Sequence, residues 1–114
     1  MVETCCVLVE DALDQILPHV DVDYGTGWED ICFKNGPLTV PSVFAEKVGP
    51  QYRRITRLLS DYDIDIVSLD SDGLIDTLVP IWLENGVNTM FPIEVGTWDA
   101  SIEPWRQQFG RDLR

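Results

Sequence analysis

Asp70-Ser71-Asp72-Gly73 follows the apolar run at residues 64–69 and precedes a helical pattern that starts near Leu74. Two carboxylates so close at a strand end suit general acid–base work, ligation of a hard metal, or capping of the next helix. Asp72 stands where the N-cap of such a helix belongs. Asp70 lies earlier, has less claim to that role, and reads as a site carboxylate. Glu94 sits in another strand-like run beside Pro92, where an unpaired buried carboxylate is costly, so it is expected to face an open rim. These three acids form the candidate catalytic set. Tyr24, Trp28, Glu29 and Asp30, at and after the first strand-like run, are the candidate substrate contacts. A calcium loop fits poorly, because Gly73 comes three residues after Asp70 rather than five and no Glu occupies the twelfth position. No metal and no cofactor is expected. His19, the only histidine, follows Pro18 at the far end of its strand and is assigned no catalytic role.

Those side chains need elements to hold them. Residues 1–17 read as a helix with apolar Val9, Leu13, Ile16 and Leu17, stopped by Pro18. Residues 19–24 alternate as a short strand, and residues 25–40 form a long loop with three glycines and Pro37. Pro41 opens a helix to about Ser60, with Phe44, Val48, Tyr52, Ile55 and Leu59 on one face. Pro50 should kink it or split it in two. Residues 64–69 are the strongest strand signal, β-branched and bounded by aspartates. A helix over 74–84 follows, with Leu74, Leu78 and Trp82 in its stripe and Asn85-Gly86 as its stop. Residues 87–95 read as a third strand, and 101–109 as a last helix packed through Ile102, Trp105 and Phe109 and ended by Gly110.

Strands alternating with helices in this way imply an α/β fold with a parallel sheet. The C-terminal ends of parallel strands share one rim, and α/β proteins place their sites there. That rim is expected to gather Tyr24, Asp70, Asp72 and Glu94, with Trp28, Glu29 and Asp30 from the first loop.

The chain has 114 residues, room for one domain and one core. Twenty acidic residues against eight basic ones give a formal charge of −12. That field repels nucleic acid and anionic lipid, so neither is an expected partner. No apolar run approaches the ~20 residues of a membrane helix, and no signal-peptide pattern opens the chain. Cys5, Cys6 and Cys32 lack CxxC spacing and read as reduced thiols, so a cytoplasmic location is expected.

Two families share features with this chain. The apolar strand ending in D-x-D-G resembles the haloacid-dehalogenase-type phosphatases, which implies Asp70 as nucleophile and Asp72 as acid/base. The motif there continues with Thr or Val where this chain has Leu74, and no lysine follows Lys47 to complete it. The longer pattern resembles the uroporphyrinogen decarboxylase superfamily. It rests on Glu29-Asp30, on Gly36-Pro37-Leu38 before Pro41, on Pro50 and Tyr52, on Asp70 to Gly73, and on Gly86 and Phe91-Pro92-Ile93-Glu94. That likeness implies part of a (β/α)8 barrel, about three of eight units, forming a single partial barrel domain over residues 1–114. It further implies a parental decarboxylation or methyl transfer on a small organic substrate, with the chain inactive alone. The superfamily's methyltransferases carry His and Cys zinc ligands about where Asp70 and Asp72 stand, which argues against thiolate-type zinc chemistry here. A non-catalytic oligomeric module is the third reading.

A partial barrel leaves two sheet edges unpaired. Ile64, Ile66, Val67, Leu69, Met90, Phe91 and Ile93 are also expected to find too few partners within one chain. A homodimer or higher homo-oligomer follows as an expectation.

Overall fold

Prolines set three of the helix starts in the computed structural model, which describes residues 1–114. Helix α1 is Val2–Ile16, α2 is Pro41–Lys47, α3 is Gly49–Asp61, α4 is Val79–Glu84 and α5 is Ile102–Phe109. Pro41, Pro50 and Pro80 lie in the first turns of α2, α3 and α4, where a missing N–H costs nothing. Pro50 therefore splits the expected 41–60 helix at Val48 rather than bending it. The strands are β1 (Gly25–Trp28), β2 (Cys32–Phe33), β3 (Gly36–Pro37), β4 (Val67–Asp70) and β5 (Thr89–Phe91).

β1, β4 and β5 form one parallel sheet in the order β1-β4-β5, and β2 and β3 form a small antiparallel hairpin. The molecule is thus mixed α/β with a three-stranded parallel sheet. The expected strand at 19–24 is not there. Leu17–His19 is a 3-10 turn, residues 20–24 are irregular and exposed, and pairing begins at Gly25, whose N–H donates to Ile66 O at 2.9 Å. The physical reason lies across the sheet. A Cβ at Gly25 would stand 2.7 Å from Leu59 Cδ1 and one at Gly27 3.1 Å from Leu69 Cδ1. Glycine at position 25 leaves room for the Leu59 side chain of α3, and glycine at 27 for Leu69 of the neighbouring strand, so this segment fits the covered face more easily than one carrying Val20 and Val22.

Register and burial separate the two faces. Gly25 pairs with Val67, and Gly27 pairs with Leu69, which pairs with Met90. Val67, Leu69 and Met90 are buried in one cluster with Leu59 of α3 and Val79 and Trp82 of α4. The opposite face carries Thr26, Ser68 and Thr89 in one row and Trp28, Asp70 and Phe91 in the next. All six of these residues are exposed or half-buried. This corrects the expected apolar patch in part: Ile64, Val67, Leu69 and Met90 are buried within the chain, Ile93 is half-buried, and Ile66 and Phe91 stay exposed.

Three further expectations change in detail. Helix α4 starts at Val79 rather than Leu74, and residues 74–78 turn toward it without being part of it. The third strand stops at Phe91, ahead of Pro92, so Glu94 belongs to a loop. In α1 the fully buried residue is Cys6, while Val9 and Ile16 stay partly exposed. Helix α5 forms with the Ser101 hydroxyl accepting from Glu103 N–H at 3.2 Å and Gly110 closing it at φ 58°, and it packs through Trp105 and Phe109, while Ile102, expected to join them, is exposed. No helix is long and apolar enough to cross a membrane.

Candidate functional site

The C-terminal ends of the three parallel strands are tied to one another before they diverge. Glu29 N–H donates to Asp70 O at 2.8 Å, and Ser71 N–H donates to Phe91 O at 2.8 Å. Trp28, Asp70 and Phe91 are directly paired neighbours across the sheet. Their side chains therefore emerge in one row on the open face, with strands about 4.8 Å apart. Trp28 is 80% exposed and Phe91 58% exposed.

Beyond Asp70 the chain turns sharply at Gly73, where φ is +85°. A Cβ there would lie 2.7 Å from Cys32 O and 2.8 Å from Phe33 O, so the loop is pressed against the β2–β3 hairpin. Leu74 N–H donates to Phe33 O at 2.9 Å and holds it in place. The turn aims the Gly73 N–H at Glu94, whose Oε2 accepts it at 2.5 Å. The same oxygen accepts from the Trp98 indole N–H at 3.4 Å. Asp30 accepts from the Trp28 indole N–H at 3.0 Å.

Asp72 is the electrostatic centre of this group. Its carboxyl is held above the ordinary Asp range, first by shielding from water and then by repulsion from Glu94, Asp30 and Asp70. None of the four acids is in an ion pair; the salt bridges of the molecule join Glu46–Lys47, Arg53–Glu84 and Glu10–Arg54. The expectation that Asp72 caps the following helix is overturned. α4 begins further along the chain, with Leu78 at its N-cap position and no side-chain cap. With no cap to make, Asp72 stays exposed among like charges.

Of the candidate residues, Asp70, Asp72, Glu94 and Asp30 come together at one rim, with Trp28 beside them. Tyr24 does not. It precedes β1, at the opposite end of the sheet, and is 57% exposed. Its placement at the rim required a strand over 19–24, and that strand is absent. Glu29 is also separated from Asp30: it turns under α3 and accepts from the Tyr52 hydroxyl at 2.5 Å. Burial, and then this bond and the Glu29 charge, push the ionisation of Tyr52 strongly upward. The neighbouring Cys32 thiol is pushed up to about 11, mainly by burial and then by Glu29. A thiol that hard to ionise is a poor nucleophile.

The Gly73–Glu94 clasp and the Tyr52–Glu29 pair are not legible in the sequence. Gly73 after D-x-D is the only visible signal for the first, since a glycine there permits the positive φ the turn needs. No three His, Cys, Asp or Glu side chains converge to hold a metal ion. Comparison with family models, curated proteins and solved structures finds no match to this chain.

Proposed function

We propose that the acidic rim binds the cationic or neutral polar group of a small organic molecule. The observation that supports this most is the row Trp28–Asp70–Phe91, an aromatic, a carboxylate and an aromatic in register on an open sheet face. Aromatic faces flanking a carboxylate suit an organic ammonium, attracted by both ring quadrupole and charge. Asp72, Glu94 and Asp30 add negative potential nearby with no Lys or Arg paired to them. An anionic substrate would meet four like charges. Asp72, whose carboxyl is held above the ordinary Asp range, is suited to donate a proton, and Asp70 to accept one.

In this reading the chain is a three-strand segment of a uroporphyrinogen-decarboxylase-like barrel. The parental reaction is decarboxylation or methyl transfer, and the electrostatics favour methyl transfer involving an amine-like substrate. The chain alone binds and orients but does not complete a turnover. The three-strand parallel sheet with helices packed on one face supports this reading, because each segment of a (β/α)8 wall has that layering. Free edges at β1 and β5 support self-association as a homodimer, and the three unpaired cysteines fit a cytoplasmic location.

The test is an amide NMR titration of the whole chain with tetramethylammonium chloride, against potassium chloride at equal ionic strength. Saturable shifts at Ser71, Gly73 and the Trp98 indole are expected with the organic cation alone, and Asp70→Asn should weaken them at least fivefold. Equal responses to both salts, or no effect of Asp70→Asn, would refute the site. Light scattering on the same sample reads the dimer: a monodisperse mass of 12.9 kDa would count against it.

A further inference from the structure

A cavity of about 380 Å³ lies between α1, α3 and the strands β1 and β4, with Gly27, Trp28 and Leu69 among its lining residues. Its size is within the ~300–1,000 Å³ of small-molecule pockets, and its character matches them. Twelve of its eighteen lining residues are hydrophobic, among them Val9, Ile55, Leu59 and Leu69. Part of its origin is in the sequence: β1 presents Gly27 here, and that position has no side chain to fill the space.

The polar groups around it are few and most are committed. The Thr56 hydroxyl donates to Asn85 O at 2.8 Å, and the Cys6 thiol donates to Gln51 O at 3.5 Å. Tyr52 donates to Glu29 Oε2, which leaves Glu29 Oε1 as an acceptor with no donor within the chain. Arg54, the nearest cation on α3, is bound to Glu10 through both Nε and Nη2. Burial first, and then the Glu10 and Glu3 charges, push the Cys6 thiol up from its ordinary pKa, with Arg54 acting in the opposite sense. The cavity thus offers an apolar body, a Glu29 oxygen that accepts no hydrogen bond from the chain, the Thr26 and Ser68 residues at its wall, and a negative surround with no cation in the lining.

We infer that this cavity is a second binding site, adjoining the rim at Trp28, for an apolar small molecule carrying one hydrogen-bond donor and no negative charge. The apolar part displaces water from the walls of Ile55, Leu59 and Leu69, and the donor takes the free oxygen of Glu29. A carboxylated molecule of the same shape is rejected, because its charge would be set beside Glu29 with no cation to receive it.

The experiment uses 2-naphthol and 2-naphthoate as a matched pair, titrated into the full chain and followed at the amides of Thr26, Gly27 and Gln51. Saturable shifts with 2-naphthol are expected, with 2-naphthoate at least tenfold weaker. Glu29→Gln keeps an acceptor for Tyr52 but turns the other oxygen into a donor, so it should erase that preference. Val9→Trp fills the cavity from a residue that is 42% exposed, which the fold can accommodate, and should weaken 2-naphthol at least fivefold. Asp70→Asn, at the rim, should leave both affinities unchanged. Shifts that do not saturate, equal binding of the two probes, or indifference to both Glu29→Gln and Val9→Trp would overturn the inference.

Discussion

Gly73→Ala is expected to destabilise the protein by about 2–5 kcal/mol, from a non-glycine held at positive φ and from overpacking against backbone. Both contributions are visible at this one residue. Its φ is +85°, and the added Cβ would sit 2.7 Å from the Cys32 carbonyl oxygen and 2.8 Å from that of Phe33. Backbone atoms paired in a hairpin cannot give way as a flexible side chain can. Relief requires the 71–74 loop to move, which breaks the Leu74-to-Phe33 hydrogen bond and withdraws the Gly73 N–H from Glu94. Denaturant unfolding should show the midpoint falling with little change in slope, and the rim should lose its response to organic cations as well. A variant within about 0.5 kcal/mol of the parent would mean that the tight turn at Gly73 is not as described.

Trp82→Ala should be at least as damaging, at about 3–5 kcal/mol for a large aromatic removed from a packed interior. Trp82 is 1% exposed and meets Phe44 edge-on, with ring centroids 6.3 Å apart. It joins α4 to α2 through that contact and belongs to the cluster that also holds β4 and β5. Against a total stability of about 5–15 kcal/mol for a domain this size, the loss leaves a protein close to unfolding. Trp82→Phe should cost far less. The indole N–H is buried with no hydrogen-bond partner, so the smaller ring removes an unsatisfied donor while keeping most of the packing. Thermal melts of both variants check this, and equal losses for Ala and Phe would contradict it.

The elements legible in the sequence are those fixed by local chemistry. Pro41 and Pro50 set helix starts, Asn85-Gly86 and Gly110 set helix ends, and the β-branched 64–69 run supplies most of the central strand, which begins at Val67 and ends at Asp70. Parallel pairing follows from the alternation of these elements. The first strand lies elsewhere than expected because alternation at Val20 and Val22 is a weaker constraint than the need for a small residue beneath Leu59, which Gly25 meets. Nothing local to Gly25–Trp28 announces that need; it arises only when α3 packs across the sheet. The same limit applies to the site. Strand order alone brings Asp70, Asp72 and Glu94 to one rim, and Asp30 joins them. Asp72 resembles a cap because the apolar stripe begins at Leu74, yet Pro80 marks the first turn of α4 well beyond it. Glu29 and Tyr24 leave the set for tertiary reasons: a buried hydroxyl captures Glu29, and the shift of β1 carries Tyr24 to the opposite end.

The electrostatic coupling of the rim has a direct consequence for pH. A carboxyl held above its ordinary range binds its proton more tightly in the folded chain than in the unfolded one. Asp72 therefore favours folding below the ordinary Asp pKa, and that contribution is lost as pH rises through its folded-state value. At neutral pH its charge opposes the fold, so Asp72→Asn should be at least as stable as the parent there.

Carboxyl-carbon NMR, following the Asp72 side chain against pH in the parent and in Glu94→Gln, tests the central claim that the strand-end acids form one electrostatic site. The side-chain amide oxygen introduced by that substitution can still accept from Gly73, so the turn survives while the charge is removed. Asp72 should titrate above the ordinary Asp range in the parent and fall toward it in the variant. An Asp72 that titrates normally in the parent, or does not move when the charge at position 94 is removed, would contradict the account.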